Sequence, residues 1–152
     1  MKLKLTHIVL ALTALLGMSS CTHNNGDIGL WFGLWHLDSI EIDGEPDSDY
    51  DGNYYFLFQG KVFCVRYVNE ESHNQFQSDS FALWSENAAD ATITINFVDN
   101  RYSPRVSDAF PDPHLSTVTT MNVVTLTSKN MVLSYLNPDT GIIYTYHLTH
   151  WQ

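Results

Sequence analysis

The sequence of 152 residues predicts an all-β fold, a single antiparallel up-and-down barrel of eight strands. Runs rich in β-branched and aromatic residues recur between Gly, Asn, Asp, Ser and Pro signals, and the sequence shows no convincing amphipathic helix and no long repeat. A closed barrel buries the apolar face of such strands and leaves no free edge. A two-sheet β-sandwich is the alternative, because alternation along a strand does not distinguish closure from stacking. The predicted strands lie at about 31–42, 53–59, 61–68, 79–85, 91–98, 121–127, 131–136 and 141–150.

Two hairpins can be assigned in more detail. In NYYFLFQGKVFCVRYV, residues 53–68, a two-residue turn near Gly60 joins two alternating runs. The second hairpin, VVTLTSKNMVLSYL, turns at 128–130. In the first hairpin, the mixed face of Tyr55, Leu57, Cys64 and Arg66 is expected to face solvent. Its apolar face consists of Tyr54, Phe56, Phe58, Phe63, Val65 and Tyr67.

The first twenty residues are typical of an export signal and are excluded from the predicted fold. Lys2 and Lys4 precede an apolar run at 8–17 that is too short to span a bilayer. The stretch LGMSSC at 16–21 resembles a bacterial lipobox, which implies that Cys21 is lipidated and begins the mature chain. A plain secretory signal is the alternative. The predicted organisation is a lipoprotein signal peptide at 1–20, a lipidated cysteine and tether at 21–29, and a barrel domain at 30–152.

The charge of the chain excludes one class of partner. Loss of Lys2 and Lys4 leaves five cations against seventeen acidic residues, a net charge of −12. A nucleic acid is not expected as a partner, because binding a phosphate backbone needs clustered cations. The same charge repels anionic headgroups, so the membrane is expected to hold the protein through the lipid on Cys21. Cys64 is then the one free cysteine, and no intramolecular disulfide is predicted.

The segment DSDYDG at 47–52 carries a second candidate site. Asp47, Asp49 and Asp51 alternate before Gly52, as in the first half of an EF-hand calcium loop. The twelfth position is Phe58 instead of glutamate, which excludes an EF-hand. These aspartates are therefore a weak candidate for a calcium site. The alternative is a solvated loop between the first two strands, at one mouth of the barrel, which would disfavour anionic ligands.

The segment Gly33-Leu34-Trp35 at the start of the first strand resembles the G-x-W motif of lipocalins. The hairpin formed by 125–127 and 133–135, and the tyrosine-rich final strand, are similar to lipocalin-like lipoproteins of Bacteroidetes; the resemblance covers about 30–151. It implies a calycin-type barrel in which Trp35 closes one end and packs near an arginine on or after the last strand. That arginine is missing here, where His150-Trp151-Gln152 stand instead.

The resemblance implies binding of a small apolar or aromatic ligand inside the barrel. The alternative interpretation is a filled barrel in which the same rings are simply the core, and the protein then has a structural or protein-interaction role in the outer membrane. Besides Trp35, the candidate ligand-binding residues are Phe56, Phe58, Phe63, Tyr67, Tyr135, Tyr144 and Tyr146.

No catalytic activity and no cofactor other than the weak calcium site are predicted. Cys64 has no assignable base, and no G-x-S-x-G motif is present. The long connection at 99–120 is a candidate lid, and its Arg101 and Arg105 are a candidate anion site or, alternatively, partners of the many acids. Residues 22–27 lack the acidic cluster that resembles a surface-export signal in Bacteroidetes. We therefore expect an outer-membrane lipoprotein that faces the periplasm, with the cell surface as the alternative.

Overall fold

The computed structural model describes residues 28–69, 76–97 and 113–151. Within these ranges, a 3-10 turn at Gly29–Trp31 precedes nine strands, of which β2 is a two-residue strand in the loop after β1. No helix in the described parts of the chain is long and apolar enough to cross a membrane. The strands are β1 Gly33–Ile42, β2 Glu45–Pro46, β3 Tyr54–Gln59, β4 Val62–Asn69, β5 Phe76–Asn87, β6 Thr92–Asn96, β7 Val118–Leu126, β8 Asn130–Leu136 and β9 Ile143–Trp151.

The eight long strands form a closed antiparallel barrel. Each strand pairs with its neighbour in the order β1-β3-β4-β5-β6-β7-β8-β9, and β9 pairs back onto β1. The closing pair runs from Leu34 opposite Trp151 to Ile42 opposite Tyr144, with a bulge between Leu37 and Ser39. The predicted up-and-down barrel is confirmed, and the sandwich alternative is wrong, because a sandwich would leave β1 and β9 at edges of sheets.

The register of the first hairpin is confirmed. Gln59 pairs with Val62, so the turn is Gly60-Lys61, and the apolar faces of β3 and β4 lie opposite each other. The mixed face does point outward, but it is less exposed than predicted. Cys64 is fully buried, and Tyr55 is covered by the ring of Trp151, which contacts it edge-on with centroids 5.5 Å apart. The ring of Trp151, which lies on β9 beyond β1, therefore shields part of this face.

The first strand begins at Gly33, two residues later than predicted, because a 3-10 turn precedes it. Residues 29–31 form the 3-10 turn, in which Phe32 N–H donates to the carbonyl of Gly29 at 3.1 Å. The turn directs Trp31 into the core, where 3% of the residue is exposed. The strand predicted at 121–127 in turn begins at Val118, because residues 118–120 pair with β6.

The barrel has two ends with different chemistry. We call the end at the start of β1 the closed end; it contains the 3-10 turn and the β3–β4, β5–β6 and β7–β8 turns. We call the opposite end the mouth. It contains the loop at 43–53 with the acidic segment, the β8–β9 turn, and residues 113–117, the described part of the connection before β7. The predicted position of the acidic loop at one mouth is the observed one.

Candidate ligand site

Tryptophan and phenylalanine rings fill the closed end. Trp31 lies against Phe58 and Trp84, with ring centroids 5.1 and 5.4 Å away. Phe58 also contacts Trp84 and Phe63. Of the candidate ligand residues, Phe58 thus packs against both tryptophans of the closed end, and Phe63 packs against Phe58.

The G-x-W segment has a physical basis in the contact between β1 and β9. Trp35 is fully buried, and its indole N–H donates to the carbonyl of Trp31 at 3.1 Å. The ring of His150 stands edge-on to Trp35 with centroids 4.8 Å apart, where the resemblance implies an arginine. Gly33 has φ of +125°, and a Cβ there would lie 2.5 Å from His150 Nε2. A side chain at position 33 would therefore displace the histidine that packs on Trp35.

The middle of the barrel combines large rings on one side with small side chains on the other. Phe56 contacts Tyr146, and both are fully buried. Three residues of strand β5 pair with Tyr67, Val65 and Phe63, which face inward. Paired residues lie on the same face of a sheet, so these three also face inward, and all three are small. The two serines are only partly buried. These inward-facing small residues are Ser78, Ser80 and Ala82.

Tyrosines dominate the mouth on the side of β3 and β4. The rings of Tyr54 and Tyr67 contact each other at 5.0 Å, and Tyr50 from the acidic loop stacks on Tyr54 at 6.3 Å. The Tyr67 hydroxyl donates to Asp51 Oδ2 at 2.8 Å. The Tyr50 hydroxyl donates to the carbonyl of Leu37, and burial raises the pKa of this phenol. The Tyr67 hydroxyl thus holds the acidic loop, and the Tyr50 hydroxyl ties that loop to the backbone of β1.

The opposite side of the mouth is covered by the end of the long connection. The Tyr146 hydroxyl donates to the carbonyl of Pro113 at 2.9 Å, and the hydroxyls of Tyr135 and Ser116 lie 2.8 Å apart. The rings of Tyr135 and Tyr144 stack at 6.1 Å. Four of the predicted ligand residues, Tyr67, Tyr135, Tyr144 and Tyr146, thus approach the mouth and hold its loops.

The three aspartates of the acidic loop have different partners. Asp47 accepts from the Asp49 amide at 3.0 Å and lies 2.9 Å from His114 Nε2. Asp51 accepts from Asn53 as well as from Tyr67. In the described parts of the chain, no three His, Cys, Asp or Glu side chains are grouped so that they could hold a metal ion. The weak calcium prediction stays untested, and the hydrogen bonds of Asp47 and Asp51 favour its alternative, a solvated loop.

The remaining candidates differ in what the structure describes. Cys21, Arg101 and Arg105 lie outside the described residues. Burial raises the pKa of the Cys64 thiol to about 12, with Asp79 nearby adding to the shift. The thiolate is the nucleophilic form of cysteine, so this thiol is suited to packing and not to nucleophilic chemistry.

Sequence reasoning missed several residues that form the site. The sequence predicts Trp31 in the first strand and gives Trp84 no role. Ser80 is not among the predicted residues, because the predicted site consists of large aromatic side chains, although small residues alternate along 78–82. His114 carried no periodic signal, because it lies in an irregular connection.

Comparison with known proteins identifies the fold. No family model and no curated protein matches the chain. A lipocalin-like protein from Bacteroides uniformis matches with 18% identity and a TM-score of 0.57, over 81% of this chain and 100% of that chain. A protein of unknown function from Bacteroides eggerthii matches with 19% identity and a TM-score of 0.57, over 80% and 99%. The chain therefore has a lipocalin-like, calycin-type fold, as the G-x-W segment predicts.

Proposed function

We propose that this protein is a lipid-anchored, non-catalytic binding protein that takes a small apolar or aromatic ligand into the barrel. One observation carries the proposal, the row of small inward-facing side chains on β5. Ser78, Ser80 and Ala82 stand in a wall whose other members are mostly aromatic or large aliphatic side chains. Eight strands is the size at which a barrel is either filled by side chains or holds one small ligand, and small side chains on one strand favour the second case.

The chemistry of the described interior sets the class of ligand. In the described part of the chain, its buried side chains are apolar or are tyrosines, apart from Thr119. Apolar walls with a few directed hydroxyls are typical of sites for small apolar molecules. The acidic loop at the mouth disfavours an anion. A neutral or cationic molecule with an apolar body therefore fits best.

Organic extraction of the purified mature protein tests this function. Mass spectrometry of the extract is expected to show a small apolar or aromatic compound in roughly equimolar amount. The Ser80→Trp variant fills the interior beside β5 and should lose the compound, whereas Leu83→Trp, on the outward face of the same strand, should retain it. Retention by Ser80→Trp, or an extract with no such compound from either protein, would argue against an open barrel.

The anchor is a separate part of the proposal and rests on the lipobox resemblance at 16–21. The expected form is a mature protein that begins at Cys21, carries acyl chains and lies in the outer membrane facing the periplasm. Intact mass of the detergent-extracted protein measures the acylation, and Cys21→Ser should abolish it. Protease treatment of intact cells distinguishes the facing, because cleavage of the domain would place it on the cell surface.

A protein-interaction role is the second candidate, favoured by the outer wall. A groove of about 170 Å³ lies there, lined by Leu34, Tyr55, Arg66, Val68 and Trp151. Trp151 is 54% exposed, and Phe81 and Leu83 are also exposed on this side of the barrel. Exposed apolar side chains of this kind occur at protein interfaces. Co-purification of one outer-membrane protein, lost in Trp151→Ala, would support this role.

A further inference from the structure

In the mouth, the side chain of His114 makes the contacts that the head group of a bound ligand would make. The ring of His114 lies parallel to that of Tyr144, with centroids 4.6 Å apart and an angle of 13° between the planes. Its Nε2 lies 2.9 Å from Asp47 Oδ2. A flat nitrogen-bearing ring thus occupies a slot with an aromatic face on one side and a carboxylate at its edge.

The carboxylate of Asp47 requires a partner in this slot. Its side chain is 8% exposed, and Oδ1 already accepts from the Asp49 amide. A desolvated carboxylate oxygen without a donor is costly, and a cation is its strongest partner. Any group that displaces His114 must therefore bring its own hydrogen-bond donor, and a charged N–H is the strongest. The face of Tyr144 adds a preference for a flat or positively charged group.

Neighbouring contacts hold His114 in the slot in an unfavourable backbone conformation. The residue has φ of +59°, a left-handed conformation that residues other than glycine seldom adopt. The hydrogen bonds of Pro113 to Tyr146 and of Ser116 to Tyr135 fix the segment on both sides. Because these tyrosines belong to the barrel wall, residues 113–116 and a ligand in the mouth compete for the same surface.

We propose that the slot between Tyr144 and Asp47 is the head-group subsite of the barrel, that it accepts a planar nitrogen cation of the amidinium or imidazolium type, and that His114 occupies it in the free protein. The inference rests on the proposed function, because the apolar body of such a ligand lies in the barrel.

Calorimetric titration with benzamidine tests the subsite. His114→Gly removes the ring, and glycine accepts the left-handed backbone at this position. Benzamidine should bind this variant at least roughly tenfold more tightly than the unmodified mature protein, and a second substitution, Asp47→Asn, should reverse most of that gain. Benzoate, similar in shape and opposite in charge, should bind neither. Ser116→Ala loosens the segment with the slot intact and should shift benzamidine affinity in the same direction, which covers a failure of His114→Gly to fold.

The outcomes separate this inference from the proposed function. Unchanged benzamidine affinity in both variants, an affinity that survives Asp47→Asn, or equal binding of benzoate overturns the subsite. A neutral fluorescent probe, N-phenyl-1-naphthylamine, reports the barrel interior in the same proteins. If that probe binds and benzamidine shows no effect, the subsite is wrong and the binding function stands. If only benzamidine binds, the slot accepts the cation but the interior takes no apolar body, which overturns the proposed function and not the slot's preference for a planar cation.

Discussion

Gly33 and His150 show how a single position determines the contact between the first and last strands. The glycine has a backbone conformation that side chains rarely allow, and the space for its Cβ is taken by His150 Nε2. The histidine in turn packs on Trp35. The three residues therefore act as one unit at the closed end.

Gly33→Ala is expected to destabilise the fold by about 3 kcal/mol, from backbone strain together with the clash at His150. Gly44→Ala is the matched control: Gly44 also has positive φ, but no atom lies within 4 Å of its Cβ position, so the cost should be about 1 kcal/mol. In the double variant Gly33→Ala/His150→Ala, the clash is absent and part of the loss should be recovered. Urea unfolding measures the free energy of unfolding of each variant. If the costs of Gly33→Ala and His150→Ala simply add in the double variant, the clash is contradicted.

Cys64 is expected to be inert in the folded protein. Its pKa is raised to about 12, so the thiol is protonated at pH 8 and unreactive towards iodoacetamide. Because the folded-state pKa is raised, the thiol's contribution to stability is fully present at neutral pH and is lost as the pH rises towards 12. Peptide mapping should show labelling of Cys64 at least roughly a hundredfold slower than in guanidinium-denatured protein. Equal rates would contradict the burial.

At the level of single residues, sequence reasoning found the aromatic positions but not their partners. Alternation along β3, β4 and β9 is a property of the chain itself, so the inward positions of Phe56 and Tyr146 could be read directly. The contact of His150 with Trp35, and that of His114 with Tyr144, join residues distant in sequence whose side chains carry no periodic signal. Such contacts depend on closure of the barrel.

Among the elements, the 3-10 turn at 29–31 is the clearest departure from the predicted structure. A strand starting at residue 31 would alternate Trp31 with Phe32. The turn instead places Trp31 under Phe58 and Trp84, where it covers the closed end. Neither propensity nor alternation signals this arrangement, because the turn is three residues long and depends on the ring it buries.

Trp31→Ala should cost about 3–5 kcal/mol, as expected for removal of a large buried ring. Leu30→Ala, in the same turn, changes a side chain that is half exposed and should cost at most about 0.5 kcal/mol. Thermal and urea unfolding of both variants measure the difference. Similar costs for the two substitutions would mean that the turn does not seal the barrel through Trp31.

Calcium is not expected to bind to the acidic loop. Asp47 and Asp51 already accept hydrogen bonds from His114, Asn53 and Tyr67, and calcium binding would have to replace these. The melting temperature in 5 mM calcium should therefore equal that in a chelator, since only a ligand that binds the folded state raises it. A rise of several degrees that is lost in Asp49→Asn would instead establish a calcium site.

For the whole molecule, composition and strand alternation predict eight antiparallel strands and favour a barrel over a two-sheet sandwich, and the pairing of β1 with β9 decides between them. Eight half-apolar strands with no helix to cover them have few other ways to bury their faces and edges. The same information could not decide whether the interior is filled. That depends on how side chains from opposite walls meet, and in particular on the small residues of β5, which become informative only once the register with β4 is known.

The most direct test of a binding barrel is fluorescence titration of the mature protein with N-phenyl-1-naphthylamine, a neutral apolar probe. We expect saturable enhancement with one site per chain. Ser80→Trp, which fills the interior beside Val65, should abolish that enhancement, and the outward-facing Leu83→Trp should leave it unchanged. No saturable binding to the unmodified protein, or equal loss in both variants, would contradict a ligand site inside the barrel.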